Sequence, residues 1–176
     1  VSNTNVVESL PSHYVAWVLG ATFSTKQFPL SKLIETIERL DMPIVLLGGE
    51  KENPLASSLQ AHFPSLISYV GKTSLSEGAM VLSKAKVVVT NDTGLMHLAA
   101  FYAKPMVCIW GNTVPAFGMY PYQSAPFFHA QVIDLSCRPC SKIGHNTCPK
   151  GHFECMLKQQ TTEISEQITS LFYREN

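Results

Sequence analysis

Short apolar runs alternate with amphipathic stretches along most of this sequence, and the alternation predicts strands separated by helices. Apolar runs of four to six residues predict strands at 14–19, 44–47, 66–70, 87–90, 105–110 and 132–135. Apolar residues spaced three and four apart predict helices at 29–40, 54–62, 74–84, 94–102 and 162–173. The segment 111–130, rich in proline and aromatic residues, is predicted to be irregular.

The order of these elements predicts an α/β fold, a Rossmann-like parallel sheet with helices on both faces. The uninterrupted apolar run Val87–Val89 is typical of a strand buried on both faces. Ser74, with Glu77 three residues later, has the spacing of a capping box and predicts a helix start. Ligands of such sheets bind beyond the carboxyl ends of the strands, so the loops that follow the strands are the candidate functional segments.

Composition narrows the class of protein. The 176 residues are 45% hydrophobic, which indicates a globular domain, and only 15% are charged. A typical soluble domain is about 25% charged, so we expect part of the surface to face a partner domain. The net charge is zero and no cluster of Lys and Arg occurs, which excludes a typical nucleic-acid footprint. No run approaches the roughly 20 apolar residues that span a bilayer.

The first residues carry neither an initiator Met nor the apolar core of a signal peptide. We therefore expect residues 1–13 to be the remnant of an interdomain linker. The domain itself is predicted at 14–176.

The segment 91–97 leaves one strand and opens the next helix. Backbone N–H groups near Thr93 and Gly94 lack helical acceptors there, so this helix start favours an anion. Gly94 lets a phosphate approach the backbone, and His97, on the same face, can donate to a phosphate oxygen. The alternative is that Asp92 caps the helix and His97 packs in the interior. We expect His97 to face the ligand, because the apolar stripe expected to pack on the sheet lies elsewhere, at Leu95, Leu98 and Ala99.

Two other strand ends carry polar residues. The loop 20–26 combines hydroxyl groups with Lys26, which suits an oxyanion. The loop 48–50 has two glycines, and Glu50 can accept hydrogen bonds from ribose hydroxyls. Each loop alone is equally compatible with an ordinary turn, but together with 91–97 they end three strands of one sheet.

Cys108 falls in an apolar run and is predicted to pack in the core. The other four cysteines have roughly the ligand count of a structural zinc site, although their spacing is irregular. Disulfides, with three possible connectivities, and a reduced loop packed on its sulfurs are the alternatives. Their position after the last predicted strand favours a structural role for Cys137, Cys140, Cys148 and Cys155.

Taken together, these segments resemble glycosyltransferase family 9, the lipopolysaccharide heptosyltransferases. The segment 90–100 matches the Asp-Ser/Thr-Gly-x-x-His-x-Ala-Ala block of the family, and Lys104-Pro105 and the strand ending at 110–113 follow as in the family. The loops 20–29 and 46–50 and the cysteines also match, so the resemblance covers about residues 15–156. The departures are at 23–25, usually more polar, and at 27–28, where a basic–aromatic pair is common.

The resemblance implies the C-terminal, donor-binding half of a GT-B enzyme, in which two Rossmann-like domains enclose the active site. It implies inverting transfer of a heptose or related sugar from an ADP-sugar to a lipopolysaccharide-core-type acceptor, with no cofactor required. The catalytic base and the binding of a lipid-linked saccharide acceptor are expected in an N-terminal domain outside this chain. The full-length protein is expected in the cytoplasm, with peripheral association at the inner face of the inner membrane.

The resemblance also implies roles for individual residues. Lys26 and His97 are expected to stabilise the leaving group. The donor is expected to be held by Thr22, Lys26, Glu50, Asp92, Thr93, Gly94 and His97. Two alternative functions are kept. One is a GT-B enzyme related to nucleotide-sugar epimerases, which shares the fold but not the Asp-Thr-Gly-x-x-His block as placed here. The other is a non-catalytic nucleotide-binding module with a cysteine-stapled loop.

Overall fold

A computed structural model describes residues 9–122 and 128–174. The described residues form one sheet of six parallel strands, in the order β3-β2-β1-β4-β5-β6. This is the Rossmann order, and its direction reverses between β1 and β4. The strands are β1 (Val15–Val18), β2 (Ile44–Leu47), β3 (Ile67–Ser68), β4 (Val87–Asn91), β5 (Met106–Trp110) and β6 (Phe128–Val132).

Helices cover both faces of the sheet, so the predicted fold class is confirmed. One face packs against α1, α2 and α6, and the other against α3 and α4. Short 3-10 turns occur at Ser24–Lys26, Glu50–Glu52 and Pro115–Phe117. The helices are α1 (Leu30–Ile37), α2 (Asn53–His62), α3 (Leu75–Lys84), α4 (Gly94–Phe101), α5 (Glu154–Leu157) and α6 (Thr161–Phe172).

The central strand β1 shows why this sequence forms a doubly covered sheet. Successive side chains of a strand point to opposite faces. Val15 and Trp17 accordingly pack into the α1–α2–α6 layer, and Ala16 and Val18 into the α3–α4 layer. All four residues are buried, as expected of a parallel strand with helices on both sides.

The predicted start of α3 is confirmed in detail. Ser74 Oγ accepts the backbone N–H of Glu77 at 3.3 Å, and the Glu77 carboxylate accepts the backbone N–H of Ser74 at 2.8 Å. Both halves of the capping box are therefore made. Two N–H groups that the first turn leaves without helical partners are satisfied in this way.

The last strand was predicted at 132–135, but it lies at Phe128–Val132. The prediction was wrong because the true strand contains polar residues and shows no apolar run. β6 lies at the edge of the sheet, where it pairs with β5 from Met106↔Phe128 to Trp110↔Val132. It contains His129 and Gln131, and the Gln131 side chain donates to Gln167 of α6 at 2.7 Å. A polar residue satisfied by a partner on a helix is not visible in a hydrophobic pattern.

Parts of two other predictions lie outside the described residues, namely residues 1–8 of the expected linker and 123–127 of the expected irregular segment. Within the described residues, none of the helices is long and apolar enough to cross a membrane.

Candidate functional site

The loops after β1, β2 and β4 meet at one edge of the sheet, as expected from parallel pairing. They border a cleft of about 200 Å³ where the strand order reverses. The side chain of Asn91 donates to the carbonyl of Leu19 at 3.1 Å and ties the end of β4 to the end of β1. The cleft is lined by Val18, Gly20, Ala21, Thr22, Gly48, Gly49, Glu52, Thr93 and Leu95.

The start of α4 forms one wall of this cleft. Thr93 is the N-cap, and its Oγ1 accepts the backbone N–H of Leu95 at 3.2 Å. The interpretation that Asp92 caps this helix is therefore wrong. Gly94 is exposed at the first helical position, and a Cβ added there would meet no atom within 4 Å. This open space lies next to N–H groups that a helix start leaves without helical acceptors.

His97 is exposed, so the alternative that it packs in the interior is wrong. The expected apolar stripe of α4 needs correction as well. Its buried residues are Met96, Ala99 and Ala100, whereas Leu95 and Leu98 are only partly buried. Ala99 belonged to the expected stripe and is buried as predicted, whereas Met96 and Ala100 take the other buried positions in place of the two leucines. That His97 faces a ligand stays a prediction.

Lys26 and Asp92, predicted separately, form a buried ion pair. Lys26 Nζ lies 2.7 Å from Asp92 Oδ2, and the two side chains are 10% and 5% exposed. The hydroxyl of Thr113, in the loop after β5, donates to the same Asp92 oxygen at 2.9 Å. Burial raises the pKa of the neighbouring Cys108 thiol well above its usual value, and the Asp92 charge raises that pKa further. The predicted core position of Cys108 is confirmed.

Glu52, which the sequence did not single out, lines the cleft, and Glu50 does not. The Glu52 carboxylate accepts the backbone N–H of Gly49 at 2.9 Å and would touch a Cβ added at Gly20. Glu50 begins the 3-10 turn and is exposed. The missed signal was the spacing of three residues between Gly49 and Glu52, with which a carboxylate folds back onto a helix start. The contact of Glu50 with ribose stays a prediction.

The segment 137–155, here called the cysteine loop, packs beside the Lys26 turn. Its four cysteines are free thiols, so none of the three disulfide connectivities is present. Among the described residues, which include the whole cysteine loop, no three His, Cys, Asp or Glu side chains are grouped to hold a metal ion. The reduced loop is the arrangement found. Arg138 anchors it by donating to the carbonyls of Ile133 at 2.6 Å and Thr113 at 2.7 Å.

Comparison with known proteins identifies the family. The family model described as glycosyltransferase family 9 (heptosyltransferase) matches residues 2–153, most of the chain. The chain belongs to glycosyltransferase family 9. The resemblance drawn from the sequence is confirmed.

The chain spans about a third to a half of the length of the relatives that it matches. Lipopolysaccharide heptosyltransferase 2 of Salmonella typhimurium is 26% identical over 166 residues, 89% of this chain and 46% of the relative. The structure of the E. coli ADP-heptose lps heptosyltransferase II has a TM-score of 0.77 and 21% identity, and covers 98% of this chain and 52% of that one. E. coli heptosyltransferase WaaC with ADP has a TM-score of 0.67 and 24% identity, and the match covers 94% and 47%. This chain has the same fold as the matching part of these two heptosyltransferase structures, which are of the GT-B type.

Proposed function

We propose that this chain is the donor-binding part of an inverting heptosyltransferase that takes its sugar from an ADP-linked donor and delivers it to a lipopolysaccharide-core-type acceptor. The observation that carries the proposal is the cleft at the point where the strand order reverses, with the open start of α4 beside it. The complex of the WaaC enzyme with ADP supports the choice of nucleotide. Family membership supports the choice of a heptose.

The proposed diphosphate position is next to Gly94, where helix N–H groups and the helix dipole favour negative charge. Lys26 retains two ammonium hydrogens beyond the one directed at Asp92, so it can donate to a phosphate oxygen as well. Thr22 lines the cleft and offers a hydroxyl donor. Because Asp92 offsets the charge of Lys26, the helix start supplies most of the net attraction for the anion in this proposal.

In the proposed reaction an acceptor hydroxyl oxygen attacks the anomeric carbon from the face opposite the diphosphate. The bond from that carbon to the diphosphate oxygen breaks, and its electron pair leaves with ADP. The hydroxyl proton passes to a carboxylate base, which we assign to a domain outside this chain. Lys26, His97 and the start of α4 stabilise the charge that develops on the leaving oxygen. The chemistry uses no cofactor, and the proposed setting is the cytoplasm.

Calorimetric titration of this chain with ADP, UDP and GDP tests the nucleotide. We expect ADP to bind most tightly, and equal or weaker binding of ADP than of the other two would contradict the proposal. Lys26→Ala should weaken ADP binding more than adenosine binding, since a charge-assisted hydrogen bond contributes about 1.5–3 kcal/mol. Equal losses for both ligands would refute the diphosphate assignment.

Sugar transfer tests the rest. Because the base and the acceptor site are assigned to another domain, we expect the isolated chain to bind ADP without transferring sugar to any lipid acceptor. A full-length protein containing this chain should transfer the sugar. Nucleotide binding without transfer by the full-length protein would favour the non-catalytic module.

A further inference from the structure

Thr25, the residue before Lys26, joins the Lys26 turn to two distant loops. Its buried Oγ1 accepts the backbone N–H of His145 at 2.8 Å. The same oxygen lies 2.8 Å from the carbonyl of His145 and 2.9 Å from Oδ1 of Asn112, and its single hydrogen can be donated to one of these acceptors at a time. The backbone N–H of Thr25 also donates to the carbonyl of His145 at 3.1 Å. Thr25 is thus held to the cysteine loop by both its backbone and its side chain.

Two glycines bring the backbones close enough for these bonds. A Cβ added at Gly111, in the loop after β5, would collide with the carbonyl oxygen of Thr25. A Cβ added at Gly144, in the cysteine loop, would lie 2.7 Å from the Cβ of Phe23, and the φ of Gly144, 125°, is one that favours glycine. The turn that carries Lys26 is therefore enclosed on two sides.

The other member of the ion pair is held from the same direction. Thr113 donates to Asp92, and the carbonyl of Thr113 accepts from Arg138 of the cysteine loop at 2.7 Å. Lys26 directly follows Thr25, which is hydrogen-bonded to the cysteine loop. Asp92 accepts a hydrogen bond from Thr113, which in turn is hydrogen-bonded to the cysteine loop. A misplacement of about 1 Å, caused by a change far from the reacting atoms, can cost an enzyme about 100-fold in rate, so the groups that position Lys26 and Asp92 matter to the site.

From these contacts, and resting on the proposed function, we infer that Thr25 is a positioning residue of the donor site. Thr25 holds Lys26 in position, and by way of Thr25 the cysteine loop contributes to binding of the diphosphate. The cysteine loop thereby supports the donor site through Thr25 and Thr113, without lining the cleft itself, and has a role beyond a separate structural staple.

The test compares Thr25→Val, which keeps the shape and removes the hydroxyl, with Thr25→Ser, which keeps the hydroxyl. Loss of one buried hydrogen-bonding group should weaken ADP binding roughly tenfold in Thr25→Val, with adenosine binding within about twofold of the parent chain. Thr25→Ser should bind ADP nearly as the parent does. Ser24→Ala, which changes an exposed neighbour in the same turn, is the matched control and should leave both affinities unchanged.

Measuring the effect of Thr25→Val in a chain that already carries Lys26→Met distinguishes positioning of Lys26 from a general disturbance of the fold. If Thr25 acts through Lys26, adding Thr25→Val to Lys26→Met should change ADP affinity by less than about twofold. A tenfold loss that persists without Lys26, or equal losses for ADP and adenosine, would overturn the inference. So would unchanged ADP affinity in Thr25→Val itself.

A second readout needs no nucleotide, and so it distinguishes failure of this inference from failure of the proposed function. The energetic coupling between Lys26 and Asp92 can be measured from urea unfolding of Lys26→Met, Asp92→Asn and the double variant. We expect this coupling to fall by roughly half or more when it is measured in chains that also carry Thr25→Val, because Lys26 is then no longer held in position beside Asp92. Unchanged coupling would overturn the role of Thr25, whereas an absence of ADP binding in the parent chain would count against the proposed function alone.

Discussion

The ammonium nitrogen of Lys26 lies 2.7 Å from a carboxylate oxygen of Asp92, and both side chains are buried at the carboxyl edge of the sheet. Removing one member of a buried pair leaves the other charge without a partner, which typically costs about 3–5 kcal/mol. Lys26→Met and Asp92→Asn should therefore each lower the free energy of unfolding by an amount of about that size. The double variant should lose clearly less than the sum, as measured by urea denaturation. Additive losses would show that the two charges do not stabilise each other.

Gly94→Ala should separate nucleotide binding from stability. The added methyl group points into open space at the start of α4, where the diphosphate is proposed to lie. We expect ADP affinity to fall about tenfold, as for the loss of one hydrogen bond. The melting temperature should stay equal or rise slightly, because replacing glycine by alanine in a compatible conformation stabilises by about 0.4–1 kcal/mol.

Gly78→Ala is the matched control for that variant. Gly78 lies within α3, where an added Cβ would meet only Thr73 Oγ1 at 3.9 Å. This substitution should leave ADP affinity unchanged. Unchanged ADP affinity in Gly94→Ala would move the diphosphate away from this helix start.

His97→Ala should lower ADP affinity with little effect on the empty domain. The side chain is exposed, so its loss should leave the melting temperature nearly unchanged. A single hydrogen bond to a phosphate oxygen corresponds to roughly a two- to tenfold change in affinity. His13→Ala, at an exposed position before β1, is the control and should change neither quantity. A drop in melting temperature with intact affinity would contradict the assignment of His97.

Cys148 should react faster with an alkylating agent than Cys140 and Cys155 of the cysteine loop. Burial raises the pKa of Cys148, but hydrogen bonds from the backbone N–H groups of residues 150–153 together lower it by more, so the pKa lies below its usual value. Burial raises the pKa of Cys140, and that of Cys155 to about 11. The thiolate is the reactive form, so iodoacetamide at about pH 7 should label Cys148 first, and labelling of the other two should increase as the pH rises.

Mass spectrometry of the labelled peptides measures these rates. Labelling of Cys155 as fast as Cys148 at about pH 7 would contradict the ordering. Uniform protection of all the thiols, reversed by a chelator, would instead indicate a bound metal ion.

Most of the sheet and its candidate cleft could be predicted from the sequence because the information is local. β2 was predicted at 44–47 and lies at Ile44–Leu47, since an apolar run closed by two glycines leaves little choice. The capping box at Ser74 is similarly local, since donor and acceptor are three residues apart. Parallel pairing then brings the ends of β1, β2 and β4 together without any further sequence signal.

The contacts that complete the site could not be predicted, since they join residues far apart in the chain. The pairing of Lys26 with Asp92 depends on the packing of two loops, and neither residue type specifies the other. Thr25 was counted among the hydroxyl groups of a loop suited to an oxyanion, but its hydroxyl instead joins that loop to the cysteine loop. Glu52 was missed because Glu50 directly follows the two glycines and is the obvious candidate.

Thr25 and His145 are 120 positions apart, and the hydrogen bonds between them close a very long segment of chain. We expect contacts of such sequence separation to form late in folding, because the loop-closure entropy that they remove must be offset by contacts made earlier. The tryptophans at 17 and 110 are buried in the sheet and report its formation. During refolding we therefore expect tryptophan fluorescence to reach its native value before a fluorescent ADP analogue is bound. Nucleotide binding would then mark the last step by which the newly made chain acquires its native state.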